Sequence, residues 1–250
     1  MDAYEEKARQ EVTVWQEKMV RRPSFSSQIT KGIQDRLNRL IPERAHRVIT
    51  EAIKNMVKAV LLGSEFISGK PLNDAPLAQR ERLVREKIDS YRKIAGASGF
   101  GIGSGGFLLA LADFPILLGI KMKLLFDIAG LYGLDVRDLR ERIFILHIFQ
   151  LAFSSPEKRP EVYQQILRWE ENRTQLPMNT DDFDWRTFQQ EYRDYIDLAK
   201  MLQLVPGIGA FVGAYANYQL VEKLGQTAIQ AYRLRLLHAK RIDAQNNYES

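Results

Sequence analysis

Residues 94–135 read IAGASGFGIGSGGFLLALADFPILLGIKMKLLFDIAGLYGLD, and this stretch decides how the rest of the chain can fold. Between Lys93 and Lys121 it carries one charged side chain, Asp113. Its first half is rich in glycine, and its second half is a long apolar run that opens with Asp-Phe-Pro and closes with Tyr-Gly-Leu-Asp. Because apolar surface is unfavourable in water, we expect this stretch to pack against other helices or against lipid.

A second stretch near the C-terminus has the same character. Residues 204–225 read LVPGIGAFVGAYANYQLVEKLG, and residues 201–221 carry no charge. Small residues spaced by four make a flat stripe on a helix, where a second helix can approach closely. Each helical glycine costs about 1 kcal/mol relative to alanine, so dense packing or lipid must offset it. We favour a helix over residues 95–106, with a flexible loop as the alternative. The glycines expected to contact a helix or a membrane are Gly99, Gly103, Gly106, Gly209 and Gly213.

Asp113 divides the first stretch into two helices. It is predicted to be the N-cap of the second helix, its carboxylate accepting from free backbone N–H groups, with Pro115 in the first turn. The two helices would form a hairpin, either in a soluble core or dipping into one leaflet. A span needs about 20 apolar residues. An acid at mid-bilayer costs about 2.5–3.5 kcal/mol, so spanning is the least favoured arrangement.

Apolar residues recur at helical spacing along the whole chain, and no strand-type alternation is evident. The fold class is therefore predicted to be all-α, a multi-helix bundle of about eight to ten helices around a central glycine-rich apolar helical hairpin. Expected helices include residues 43–68, a basic amphipathic helix at 77–93, a helix capped by Asp135 and a last helix at 207–242. The predicted divisions are N-terminal amphipathic helices at 1–42, a helical domain at 43–242 and a frayed tail at 243–250.

The chain is moderately basic, with 36 lysines and arginines against 31 aspartates and glutamates. Basic residues beside apolar segments suit anionic lipid headgroups, although solvated helix faces are the simpler explanation. The chain has no cysteine, which excludes disulfides, thiolate nucleophiles and cysteine-ligated zinc. Its first residues, MDAYEEKARQEV, lack the apolar core of a secretory signal, so we expect a cytoplasmic protein, peripheral on the inner membrane. The headgroup candidates are Arg85, Arg92, Lys93, Lys121 and Lys123.

Motifs that carry chemistry are scarce. Residues 101–106 match G-x-G-x-x-G, but a basic helix precedes them instead of the strand that a dinucleotide site needs. The histidines His46, His147 and His238 lie far apart, and residues 181–184 lack the glycine and closing glutamate of an EF-hand. The basic residues form no recognisable nucleic-acid module. We expect no catalytic residue, no cofactor, no metal site and no nucleic-acid partner.

Three motifs in order resemble those of the EcsC family. They are Asp113 with Pro115, then Tyr132, Gly133 and Asp135, then Pro206 in the sequence VPGIG. The resemblance covers roughly residues 45–240, most of the chain. This is a mainly bacterial group of α-helical proteins of unestablished biochemical activity, named from a gene beside an ABC-transporter operon. The resemblance implies a helical, non-enzymatic protein with an envelope or transport connection, and it supplies no catalytic residues.

The leading hypothesis is a non-enzymatic, membrane-associated helical protein. It would act at the cytoplasmic face of the inner membrane through anionic lipid or a membrane-protein partner, which the resemblance suggests is linked to an ABC transporter. The alternative is an enzyme or a small-molecule or lipid-binding protein, with a pocket between the two apolar segments and Asp113 exposed to it. A third hypothesis is self-association through the stripes at Gly99/Gly103 and Gly209/Gly213.

Overall fold

The computed structural model describes residues 2–21, 43–62, 66, 69–100, 113–177, 182–184, 186–188, 192, 196 and 210–249. Within these ranges, side chains are described except at 45–46, 97–100, 210–216 and 239–249. The described residues form a helical bundle, which confirms the all-α prediction. They contain no strand, only an isolated bridge between Ser154 and Ile196.

Eight helices have described bounds. They are α1 (Ala3–Val20), α2 (Glu43–Leu62), α3 (Leu77–Phe100), α4 (Phe114–Leu131), α5 (Leu139–Phe153), α6 (Arg159–Leu167), α7 (Trp169–Arg173) and α8 (Ala210–Glu249). None of the helices in the described ranges is both long enough and apolar enough to cross a bilayer.

Local sequence explains both ends of α4. Pro115 lies in the first turn, where its missing N–H would have had no helical partner. Gly133 adopts φ 87°, a left-handed conformation that glycine accepts without strain. The Gly133 N–H donates to the Gly130 carbonyl (3.0 Å), and the Leu134 N–H donates to the Ala129 carbonyl (3.0 Å). This pair of bonds is a Schellman motif, so the helix end predicted at residues 132–135 is confirmed.

Several predicted boundaries are wrong. The described part of α2 ends at Leu62 and Phe66 lies in a turn, so the helix does not reach residue 68, and α8 continues to Glu249 rather than stopping near residue 242. The N-cap of α5 is Asp138, whose carboxylate accepts from the Arg140 N–H (2.9 Å). Asp135 instead accepts from the Arg137 N–H (3.0 Å) in the connecting turn. Aspartate is a favourable N-cap residue at either position. The local sequence alone did not show that Asp138, rather than Asp135, would be the cap.

Helix α5 forms the middle of the core. Of its 15 residues, all but Arg140 and His147 are buried, because other helices cover it on every side. Helix α8 packs along α3 and also contacts α1, α4 and α5. The α3–α8 approach is close at Gly225, where a Cβ atom would lie 2.5 Å from Ile88 Cδ1. A small residue therefore does permit close helix packing here, at a glycine that the predicted stripe did not include.

Candidate functional site

Three residues at or near the borders of the two uncharged segments meet between α3, α4 and α8. Lys121 Nζ on α4 donates to Asn217 Oδ1 on α8 over 2.7 Å. Asn217 Nδ2 in turn donates to the Ala95 carbonyl on α3 over 3.2 Å. We call Ala95, Lys121 and Asn217 the segment junction. Ala95 and Lys121 lie at the two ends of the first stretch of low charge, and Asn217 lies near the end of the second, residues 201–221. The segment junction therefore connects both stretches.

Lys121 is fully buried at the segment junction (0% exposed). Its hydrogen-bond partners among the described residues are neutral, the Asn217 amide and the Leu117 carbonyl (3.4 Å). Burial lowers the pKa of Lys121 to about 7, because an ammonium group is poorly solvated in the interior. The sequence placed Lys121 among the headgroup candidates, which requires a surface position, and its burial contradicts that position.

The other headgroup candidates differ in exposure and pairing. Arg85 pairs with Glu81 (3.3 Å), and Lys123 pairs with Asp127 (3.1 Å). Arg92 pairs with Asp89 and Glu222 (2.9 and 2.6 Å) and lies over the Tyr218 ring at 4.1 Å. Lys93 is exposed. Much of the charge on α3 therefore forms internal ion pairs, and a headgroup role for the exposed positions stays a prediction.

Two large apolar side chains that are close in sequence to residues of the segment junction are exposed. Ile94, one residue before Ala95, is 50% exposed, and Ile116 in the first turn of α4 is 63% exposed. They border the uncharged residues 97–112, and Lys93 precedes them. An exposed isoleucine that directly follows an exposed lysine, as Ile94 follows Lys93, is an arrangement that an anionic membrane surface accommodates.

A second group of buried charges lies on the same helices. Glu81 on α3 is 0% exposed and accepts from Arg233 on α8 through two bonds of 2.6 Å. It also accepts from the hydroxyls of Tyr4 (2.6 Å) and Tyr132 (3.2 Å), and Arg233 additionally pairs with Glu11. We call these five residues the core ion cluster. It joins α1, α3 and α8 to the C-terminal end of α4.

Sequence reasoning did not predict that Glu81 and Lys121 are buried, although the helical spacing of the apolar residues around them indicates it. Positions 77, 81, 84 and 88 follow the spacing of a buried helical stripe, and Glu81 is the charged residue on it. Lys121 lies in the same way on the stripe formed by positions 114, 118, 121 and 125. A charge on such a stripe indicates a buried polar contact, but it does not identify the partner.

The structure places only some of the predicted helix-packing residues. Gly99 lies in the helical backbone of α3, and Gly213 in that of α8. Gly103, Gly106, Gly209 and Pro206 lie outside the described residues, as do the later part of the predicted hairpin's first arm and the boundary at residue 42. Those predictions stay untested.

Asp113 holds the predicted position but not the predicted bond. It is the N-cap of α4, yet its carboxylate makes no capping hydrogen bond. Its backbone is already helical (φ −84°, ψ −7°), whereas a capping side chain requires extended backbone. The Asp113 carbonyl accepts from the Leu117 N–H over 3.1 Å. Its carboxylate is thus not the cap that the sequence predicted.

The alternative hypothesis was a pocket between the two apolar segments, with Asp113 exposed to it. Two clefts are lined by described residues of α5 to α8 and by Phe188 and Tyr192, and neither includes Asp113. Within the described ranges, no group of three or more histidine, aspartate or glutamate side chains could hold a metal ion.

Comparison with known proteins identifies the family to which this chain belongs. The EcsC protein family matches residues 6–237, so the chain belongs to the EcsC family. The resemblance found in the sequence motifs is confirmed, and it extends further toward the N-terminus, to include most of α1. Protein EcsC of Bacillus subtilis (strain 168) is 45% identical over 229 residues, covering 91% of this chain and 94% of that protein. Uncharacterized protein YdbA of the same organism is 28% identical over 240 residues, covering 92% and 88%. No solved structure matches.

Proposed function

We propose that this protein is non-enzymatic and acts at the cytoplasmic face of the inner membrane, where it contacts anionic lipid. The observation that carries the proposal is the exposure of two isoleucines, Ile94 directly after Lys93 near the end of α3 and Ile116 in the first turn of α4. The uncharged composition of residues 97–112 and 201–216 supports the same proposal, because these stretches of sequence carry no charge that contact with lipid would have to desolvate.

The expected contact is weak and reversible. Burying an isoleucine side chain contributes about 1.5–3 kcal/mol. A basic residue near an anionic surface contributes about 1 kcal/mol, and salt screens that attraction. Two isoleucines and Lys93 therefore suit peripheral binding that weakens in high salt.

Flotation with vesicles tests this proposal. The full chain should float with phosphatidylglycerol vesicles at low salt and much less with phosphatidylcholine vesicles. The double variant Ile94→Ser/Ile116→Ser should weaken partitioning onto the vesicles at least about thirtyfold, since two lost contacts of over 1 kcal/mol each add to over 2 kcal/mol. Val14→Ser/Val20→Ser is the matched control, because both valines are 51% exposed on α1, outside the proposed surface.

Two results would contradict lipid contact. One is wild-type protein that stays wholly in the unfloated fraction at low salt. The other is an isoleucine double variant that floats as well as the valine control. Binding to native membranes that is lost after protease treatment of those membranes, without binding to pure lipid, would indicate a membrane-protein partner instead.

A further inference from the structure

The segment junction connects its buried lysine to backbone groups beside both exposed isoleucines. Lys121 Nζ donates to the carbonyl of Leu117 (3.4 Å), the residue after Ile116. Through the Asn217 side chain it is also connected to the Ala95 carbonyl, and the residue before Ala95 is the exposed isoleucine of α3. These hydrogen bonds therefore hold α3, α4 and α8 together at positions adjacent in sequence to the proposed lipid contact.

The hydrogen bonds at Lys121 suit a neutral amine better than an ammonium group. A neutral amine has two N–H donors, and the described residues offer two acceptors, the Asn217 amide oxygen and the Leu117 carbonyl. An ammonium group has a third donor and a full charge. Neither described acceptor is ionised, and the side chain is excluded from water. Because a buried charge is costly when its partners are neutral, protonation favours an arrangement in which Lys121 reaches water.

The nearest charged groups on α4 itself lie away from Lys121 or have other partners. Asp113 is the N-cap of the helix, eight residues earlier, which is about 12 Å along the axis. Asp127 lies six residues later and is held by three other groups. They are Lys123 (3.1 Å), Lys87 (3.5 Å) and the Tyr91 hydroxyl (3.0 Å).

The charged groups on the four helices packed against α4 are likewise not described partners of Lys121. Near the junction on α3 and α8, Arg92 contacts Asp89, Glu222 and Tyr218, and Lys93 and Lys223 are exposed. The described charged side chains of α2 are exposed, namely Glu43, Arg44, Arg47, Glu51, Lys54 and Lys58. On α5, Arg140 is half-buried, Glu141 pairs with Arg235, Arg142 donates to the Arg137 carbonyl and His147 meets the Trp169 ring. Burial is accordingly the cause of the lowered pKa of Lys121.

We propose that protonation of Lys121 opens the contact between α3, α4 and α8 and thereby strengthens lipid binding, so that the segment junction is a pH-sensitive switch. This inference rests on the proposed function, because it concerns the regulation of the same membrane contact. In the closed arrangement Phe114, Leu117 and Leu118, which flank Ile116 on α4, are at most 3% exposed. Opening makes their apolar surface available to lipid, which reinforces the contact of the two isoleucines.

The sign of the pH dependence follows from the two pKa values of Lys121. Its pKa is about 7 in the closed arrangement and returns to about 10.4, the ordinary value for lysine, when the amine is hydrated. Between these values opening takes up a proton, so each unit rise in pH should favour the closed arrangement about tenfold. Ordinary carboxylates and histidines have largely lost their protons by about pH 7.5, so their charge is nearly constant above it.

Flotation with phosphatidylglycerol vesicles between about pH 7.5 and 9.5 tests the switch, because the lipid phosphodiester keeps its charge throughout. Partitioning of the wild type should weaken toward high pH, by about tenfold per unit at most. Lys121→Met should lose this dependence, and Lys58→Met, which removes an exposed lysine of α2, should keep it. Wild-type flotation that is independent of pH, or that varies equally in Lys121→Met, would overturn the switch and leave the lipid contact standing. Absence of flotation at every pH would instead refute the lipid contact, and the switch with it.

A single introduced cysteine detects opening without lipid, because the chain has no cysteine of its own. Leu118→Cys places a thiol at a buried position of α4, and Ile116→Cys places one at an exposed position as the reference for the pH dependence of the thiol itself. Relative to this reference, labelling of Leu118→Cys by a thiol reagent should slow about tenfold per unit between about pH 7.5 and 9.5. The change should disappear when Lys121→Met is added. A ratio that stays constant with pH while Lys121 is present would overturn the proposal.

A third cysteine separates local opening from global unfolding. Ile145→Cys lies on α5 at a position with 0% exposure, so labelling there requires the core to unfold. Each variant is first shown to unfold cooperatively in urea. Leu118→Cys should label at least about tenfold faster than Ile145→Cys at about pH 7.5, because local opening costs less than global unfolding. Equal rates at the two buried positions would mean that the junction does not open locally, and would overturn the proposal.

Discussion

The core ion cluster and the segment junction both bury a cation, but they surround it differently. Arg233 in the cluster is 2% exposed and Lys121 at the junction is 0% exposed. Burial by itself would lower the pKa of Arg233, but the hydrogen bonds that it donates to Glu81 and Glu11 outweigh this, and the pKa is raised. Lys121 meets an amide in place of a carboxylate, and its pKa falls to about 7.

This difference gives the two regions different physical roles. Arginine keeps its proton under all ordinary conditions, so the cation of the cluster does not titrate near neutral pH. Lysine loses its proton readily when buried, so the segment junction is held by a group that titrates near neutral pH. The helices that carry the two exposed isoleucines, α3 and α4, are therefore also joined by a contact that depends on pH.

Removing the carboxylate of the core ion cluster should have the largest effect. Glu81→Gln leaves Arg233 buried with only Glu11 as an ionic partner, and breaking a buried pair in this way costs about 3–5 kcal/mol. Urea unfolding measures the loss. Glu86→Gln is the matched control, because Glu86 is exposed on the same helix and its pair with Arg82 spans 4.0 Å. Equal stability of the two variants would show that the cluster is energetically unimportant.

The segment junction should make stability depend on pH. An unfolded lysine keeps its proton up to about pH 10, whereas folded Lys121 releases it above about pH 7, so raising the pH between these values stabilises the fold. The gain is about 1.4 kcal/mol per pH unit. Urea unfolding between about pH 7.5 and 9.5 should show it in the wild type and not in Lys121→Met. The exposed control Lys58→Met should keep the wild-type slope, and a slope that survives in Lys121→Met would refute this assignment.

Asn217→Asp should turn the segment junction into an ion pair like that of the cluster. A carboxylate beside Lys121 favours the charged amine and raises its pKa. The gain in stability between about pH 7.5 and 9.5 should then shrink to less than about 1 kcal/mol. The same urea series measures it, with Asn73→Asp as the control that adds the same charge on an exposed loop. An unchanged slope in Asn217→Asp would mean that the amide is not what Lys121 contacts.

The two aspartates at helix N-termini differ in a similar way, because Asp138 makes a capping hydrogen bond and Asp113 does not. Asp138→Ala removes a carboxylate that accepts from the Arg140 N–H, and should cost about 1 kcal/mol. Asp113→Ala removes a carboxylate without a capping bond, and should cost less than about 0.5 kcal/mol. Thermal or urea unfolding of the pair compares them. If Asp113→Ala cost as much as Asp138→Ala, the cap predicted from the sequence would exist in solution after all.

Sequence reasoning succeeded where local chemistry determines the outcome. Pro115 and Gly133 marked the ends of α4, because proline suits a first turn and glycine suits a left-handed residue. It failed at Asp113, where the side-chain type was right for a cap but the backbone conformation was not. It also placed Lys121 at the surface, because a lysine in an apolar helix is ordinarily expected to be exposed.

The sequence by itself determined the helical class, the ends of α4 and the two uncharged stretches, because helical period and turn chemistry are properties of neighbouring residues. Only the tertiary structure decided which buried groups meet. Glu81 and Arg233 are 152 residues apart, and Lys121 and Asn217 are 96 apart. The helical period determines which side of a helix a residue occupies, but the identity of the helix that covers that side depends on how the whole bundle packs.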